Sequence, residues 1–397
     1  MKNFHIKKHQ RFFGETIENT KVLVHRGKKE LRKIFLKKGF NDMNKTLKIL
    51  LIMFSTTILL TGITYASIKI YERIKGQATM TPTFTEEIGN TDMNSIWIGS
   101  FQIGWNELLN KIGGEVKFED GSSKLADELN KKSFTKDMIS PDNYYVKVEK
   151  TTPKLKEIII DDISKKFKIQ DLSILNKMNF QTRSESYTIY SMLSKKFEFI
   201  DPFDKLAEGK FSDYQEKVEY FGINNASDKR LGNNVEVLFY NNKDDLSVKL
   251  NTKGKDEIIL YKTKNAESFN DLYQEISDKS NKYNGEKIFT ENDELKIPYI
   301  NVETAINYGE LCGRIIKGTN GMYIANALQN VKFNLNEKGG NLTSEAGITS
   351  EYLSENEETR YFYFNDNFVL FMKEKDKSKP YLALKINDLN ILVQKKD

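Results

Sequence analysis

The chain has 397 residues, 61 of them basic and 56 acidic, for a net charge of +5. With 39% hydrophobic and 12% aromatic residues it carries enough apolar material for a substantial core, which excludes a wholly disordered chain. The three histidines are His5, His9 and His25 and the single cysteine is Cys312, so residues 49–397 cannot build a Ser-His-Asp or Cys-His catalytic unit, a His-ligated zinc site or an internal disulfide.

In chain order, residues 1–48 set 14 Lys/Arg against four acids, a net +10, which leaves the remaining residues at −5. This stretch reads as a basic cytoplasmic tail. Its interleaved Phe12, Phe13, Ile34 and Phe35 suit a helix lying on anionic lipid and need no nucleic acid to explain them. Residues 49–68 carry no charge and match the length of a bilayer-spanning helix. A transmembrane signal anchor over 49–70 is therefore expected, in a single-pass cell-membrane protein. The basic flank stays in the cytoplasm and the C-terminal part lies outside the cell. Read from Met43, the same segment also has the layout of a cleaved signal peptide, but its apolar run is longer than such peptides use. Residues 71–92 read as a polar stalk and 93–397 as one domain.

Within that domain, helical spacing is expected over 102–112, 122–131, 153–168 and 268–278. Alternating or β-branched runs predict strands over 187–193, 235–240, 246–250, 257–261, 295–300, 323–335, 362–372 and 381–386. Helices first and strands later, with long connections, give an α+β fold. Carboxylate pairs such as Asp161-Asp162 or Glu291 with Asp293 are the only material for acid/base chemistry, and the former sit where an amphipathic helix shows its solvated side.

Several segments, in order, resemble those of the serpin family. Asn336-Glu337-Lys338-Gly339-Gly340-Asn341 resembles the family hinge, Asn-Glu-Glu/Lys-Gly-Thr-Glu. The aromatic run from Phe362 to Met372 resembles its terminal signature, and Lys379 to Ile386 its closing segment. Weaker echoes are Ile96 to Ile103, Phe199-Ile200-Asp201-Pro202-Phe203-Asp204, the runs beginning at Val235 and Leu246, and Leu295 to Glu303. The resemblance covers about 91–397. It departs from the family where strand-opening serines fall at Gly99 and Gln102, a buried His at Gln329, a Trp at Phe199 and the signature Pro at Asn367. Between Asp171 and Ser184 the sequence leaves too little chain for the family's helix across the main sheet.

What the resemblance implies is a serpin-like α+β fold: a large central mixed β-sheet, N-terminal helices and an exposed reactive loop, preceded here by the one transmembrane helix. It further implies a suicide-type inhibitor of serine or cysteine proteases acting outside the cytoplasm. Such an inhibitor is not an enzyme and has no catalytic residue, cofactor or metal. Its partner would be an extracellular or envelope protease of the chymotrypsin-like or subtilisin-like kind. Cleavage would let the loop enter the sheet as a new strand. The hinge would be Glu337, Gly339, Gly340, Leu342, Ser344 and Ala346, and the scissile bond Leu353–Ser354. Strand insertion needs alternate residues to face the core. Gly340, Leu342, Ser344, Ala346, Ile348 and Ser350 supply a small or apolar set at that period, with no proline to interrupt a ladder. The alternative is a serpin-like envelope binding or structural module without inhibitory activity.

Overall fold

The computed structural model describes residues 78–88, 93–169, 175–176, 178–181, 185–265, 267–340 and 359–394. The basic tail, the segment 49–70 and residues 71–77 and 89–92 of the stalk lie outside the described residues. Among the described residues no helix is long and apolar enough to cross a membrane.

Strands β1 (Thr79–Met80) and β2 (Ser95–Ile98) lead into helices α1 (Ser100–Ile112) and α2 (Lys124–Asn130). Next come β3 (Tyr144–Lys150), α3 (Pro153–Phe167), β4 (Ser186–Ser194), β5 (Phe197–Glu198), β6 (Asp204–Lys210) and β7 (Lys217–Ile223). The strands β8 (Val235–Asn242), β9 (Asp245–Asn251) and β10 (Asp256–Lys262) precede helix α4 (Phe269–Lys282). The last stretch holds β11 (Glu294–Pro298), β12 (Ile300–Asn307), β13 (Tyr323–Leu335) and β14 (Gly339–Gly340), then β15 (Tyr361–Tyr363), β16 (Phe368–Glu374) and β17 (Leu382–Ile386).

The helices form where local chemistry favours them. Thr152 caps α3 by accepting a hydrogen bond from the Leu155 N–H at 3.3 Å, and Pro153 occupies the first turn, where no donor is needed. Leu155, Ile159 and Ile163 make one buried stripe, and Lys165 and Lys166 complement the dipole at its C-terminal end. Helix α1 buries Phe101, Trp105, Leu108 and Leu109 and stops at Gly113, whose φ of 75° suits glycine.

Three sheets carry the core. A seven-stranded sheet runs β1-β2-β17-β16-β10-β9-β8, a four-stranded sheet runs β15-β11-β7-β6, and a second four-stranded sheet runs β12-β13-β4-β3. The first two enclose the main apolar cluster, with Trp97, Phe239, Tyr261 and Phe371 among its buried members. The third is covered on both faces. Helix α1 lies against Ile189 on one side, and α3 lies against Tyr190 and Met192 on the other.

Three sequence expectations need correction. The run 295–300 is not one strand. Pro298 has no N–H to extend a ladder, so β11 ends there and Ile300 begins β12 in another sheet. The run 362–372 also divides, at a bend in which the Asp366 carboxylate accepts from the Asn367 N–H, and its halves β15 and β16 join different sheets. The helix across the hinge-bearing sheet is α3, upstream of the stretch 171–184 where the chain looked too short for it. The expected large mixed sheet is present as the seven-stranded one, and β13 and β4 belong to a second, smaller mixed sheet of four strands.

Inside the seven-stranded sheet, Lys385 is 1% exposed and donates to the Thr263 carbonyl at 2.6 Å. Burial pushes its pKa down to about 7, against weak support from Asp366 and Glu275. An unfolded lysine titrates near 10.4, so between about pH 7 and pH 10 the unfolded chain binds more protons than the folded one, and stability should rise with pH across that window. Lys385→Met is expected to increase stability at pH 7 and to flatten the rise. Urea unfolding at pH 7, 8.5 and 10 measures both effects.

Candidate functional site

In the four-stranded sheet β12-β13-β4-β3, the pairs β12/β13 and β3/β4 are antiparallel, whereas β13 and β4 run parallel from Tyr323↔Ser186 to Lys332↔Ser194. Parallel pairing is slightly weaker per residue than antiparallel pairing. A strand antiparallel to both and placed between them would replace one parallel contact with two antiparallel ones. The β13/β4 seam is the place in this sheet where a further strand improves the hydrogen-bonding pattern.

Polar side chains hold the seam together. At its lower end Asn326 donates to the Asn179 carbonyl at 2.8 Å and to Thr188 Oγ1 at 3.0 Å, and it accepts from the Asn179 N–H at 3.1 Å. At mid-height Gln329 sits opposite Ser191. Its amide donates to the Ile98 carbonyl at 3.0 Å and lies 3.4 Å from Ser100 Oγ, while Tyr308 donates to its carbonyl at 2.7 Å. The serine beside this glutamine is therefore Ser100. Gln102 turns away to the Leu129 carbonyl, and Gly99 leaves room for the Phe134 ring, which a Cβ would meet at 2.4 Å. Ser191 Oγ is buried and has no hydrogen-bond partner, a cost of about 1–3 kcal/mol.

At the top of β13 the chain reverses. Asn336 and Gly339 exchange backbone hydrogen bonds, and β14 pairs antiparallel with β5 through Gly339↔Glu198 and Gly340↔Phe197. Gly339 has φ +129°, and a Cβ there would lie 2.3 Å from the Phe197 carbonyl oxygen. At Gly340 a Cβ would meet the Phe197 ring at 2.5 Å and the Asn334 carbonyl at 3.0 Å. Only glycine admits this seat between β13 and the continuation of β4. Glu337 anchors it. Its carboxylate accepts from the Tyr299 hydroxyl at 2.8 Å and lies 3.9 Å from Lys205, and its backbone carbonyl accepts from the Phe203 N–H at 2.8 Å. Burial, then the Glu337 hydrogen bond, raises the Tyr299 pKa, so the phenol stays the donor.

Of the residues singled out in the sequence, Glu337, Gly339 and Gly340 thus come together at the head of the seam. Leu342, Ser344, Ala346, Leu353 and Ser354 lie outside the described residues. Phe199 is buried and stacks edge-on to Phe203, filling an aromatic cluster under the hinge. Three of the four carboxylates considered for acid/base work, all but Glu291, are engaged elsewhere. Asp161 pairs with Lys165, Asp162 with Tyr145 and Lys147, and buried Asp293 with Arg360. Burial pushes the Cys312 thiol up to about 11, which keeps it protonated and unreactive at neutral pH. Sequence reasoning missed Lys195, Asp256 and Glu374, three buried charged groups just below the hinge. Each sits at a strand end among other charged residues, in Lys195-Lys196, Lys255-Asp256-Glu257 and Lys373-Glu374-Lys375, so no sequence signal set them apart.

No protein-family model and no curated protein matches the chain. Solved structures do. The chain is similar to Serpin48, a highly specific serpin of the insect Tenebrio molitor, at 12% identity and a TM-score of 0.46, over 75% of this chain and 92% of that one. It is similar to human thyroxine-binding globulin at 9% identity and 0.45, with the same coverage. It is also similar to mouse protein-Z dependent protease inhibitor at 12% identity and 0.47, over 74% of this chain and 91% of that one.

Proposed function

We propose that this chain is a serpin-type protease inhibitor, held at the cell membrane by residues 49–70 with its domain outside the cytoplasm, and that it acts by cleavage and insertion of the loop after Gly340. The observation that carries the reading is the seated hinge at the head of a parallel seam. The β14/β5 register, continued by one residue at a time, sets Leu342 opposite Lys195, Ser344 opposite Leu193, Ala346 opposite Ser191 and Ile348 opposite Ile189. Directly opposed residues share a face, so the small and apolar set would enter the side where Leu193 and Ile189 are buried. The chain needs no catalytic group of its own, because the protease cuts and the sheet gains a strand.

The test is incubation of the full chain with chymotrypsin-like and subtilisin-like proteases. Inhibition predicts a covalent complex that survives heat and detergent, and its loss in Ala346→Arg, which lies beyond the hinge seat. Plain loop cleavage with no complex from either class would reject inhibition.

A second reading, a non-inhibitory binding module of the same shape, draws on one observation. In the same register Glu345 would come opposite Met192, 1% exposed beneath α3, where a carboxylate is costly. Under that reading the loop is a recognition surface and stays outside the sheet after cleavage.

A further inference from the structure

A cleft of about 1040 Å3 lies away from the hinge, between the segment following β1, helix α2 and the turn Gly309–Leu311 after β12. Its apolar lining includes Met80, Leu125 and Ile306. Four carboxylates rim it, Glu86, Glu87, Glu128 and Glu310, with Lys124 and Lys131 beside them. Lys131 is committed to Glu128 at 2.7 Å. Among the described residues neither Glu86 nor Glu310 has a partner within hydrogen-bond distance. Partial burial raises the Glu86 pKa, Lys124 pulls it back, and Glu310 and Glu128 add to the rise. The rim is short of positive charge.

A second observation is independent of charge. Thr83 lines the same cleft and is 5% exposed, yet its hydroxyl finds no hydrogen-bond partner among the described residues. The rest of the side chain is enclosed, so the hydroxyl is open only toward the cleft, where a ligand's polar group can meet it.

We propose that this cleft binds a basic peptide segment. A Lys or Arg side chain sets its charged head among Glu86, Glu128 and Glu310 and lays its aliphatic stem on Leu125 and Ile306, while the peptide's polar backbone reaches the Thr83 hydroxyl. An apolar floor under an anionic rim matches the two-part chemistry of these side chains, which bury their stems and keep their heads polar. The cleft is as large as those that enclose whole ligands, and its four acids are spread around the rim, which favours several residues of peptide over a single small cation.

The experiment titrates the full chain into a fluorescein-labelled hexa-arginine peptide and follows anisotropy at low and moderate salt. Saturable binding that weakens with salt is expected. Glu86→Gln and Glu310→Gln should each weaken it about fivefold and the pair together more than tenfold. Thr83→Val, which changes no charge, should weaken it by about threefold. Glu216→Gln, an exposed acid outside the cleft, should leave it unchanged, and unfolding midpoints should show that all variants remain folded. Equal binding by wild type and the cleft variants, or equal weakening by Glu216→Gln, would overturn the proposal. So would full displacement by equimolar spermine, which would make the ligand a polyamine. Binding that appears only after removal of residues 1–48 would overturn it too, by making the chain's own basic tail the occupant.

Discussion

Cleavage of the full chain near Leu353–Ser354 is expected to raise the unfolding midpoint of the domain by about 10 °C or more. The inserted strand gains hydrogen bonds to both neighbours and buries Leu342 and Ile348, against the ordering of its backbone and the loss of the β13/β4 pairing. At about 2 °C per kcal/mol for a domain of this size, a net gain of about 5 kcal/mol reads as roughly 10 °C. The Ser344→Arg chain should be cut equally well and gain nothing. Its guanidinium would come opposite Leu193, which is fully buried, and an unpaired charge there costs several kcal/mol. Calorimetry before and after limited proteolysis measures both. A cleaved wild-type chain that melts no higher than the intact one ends the insertion mechanism.

Lys195→Met is expected to destabilise the intact domain by about 3–5 kcal/mol, the cost of breaking a buried ion pair from one side. The Lys195 ammonium lies 2.8 Å from Asp256, and both side chains are under 10% exposed. Asp256 also accepts from the Tyr381 hydroxyl at 3.0 Å. It stands directly across from Glu374 in the β10/β16 register, so two buried carboxylates face each other. Glu374 is satisfied by the Ser140 N–H and hydroxyl, each at 2.8 Å, and by the Asn143 amide at 2.9 Å. Those neutral donors leave the charge itself in place, so Lys195 is the cation that answers the pair. The double variant Lys195→Met/Asp256→Asn removes one charge of each sign, lets Tyr381 keep an acceptor, and should recover most of the loss. Urea unfolding of the three chains at pH 7 checks this, and a double variant no more stable than Lys195→Met would show that the pair is not the source.

Much of the strand content was legible because burial imposes a period. The β13 bounds follow from the sequence pattern, and β4, β8, β9, β10 and β17 were placed to within two residues. Strands β3, β6 and β7 were not seen. Asp204–Lys210 is half-exposed and nearly devoid of apolar residues, and Lys217–Ile223 carries its alternation only in part. The splits at Pro298–Tyr299 and Asn365–Asn367 carried a signal, a proline and an Asn-Asp-Asn triplet, which the apolar and aromatic residues on either side outweighed. Gly339 and Gly340 were legible as glycines. Their reason, the approach of Phe197 to within a Cβ's radius, was not, because it depends on a contact some 140 positions away in the sequence.

Helix α3 has one further consequence. Its C-terminal Lys166 donates to the Tyr144 carbonyl on the outer edge of β3, and the segment after it is pinned by Asn179 to Asn326 on β13. The helix and its return therefore act as a strap buckled to the sheet on both sides of the seam. One more strand widens this narrow sheet by about 4.8 Å, a change the strap must either follow or release. If the proposed insertion takes place, its rate is set by the buckles and its extent by the strand that enters.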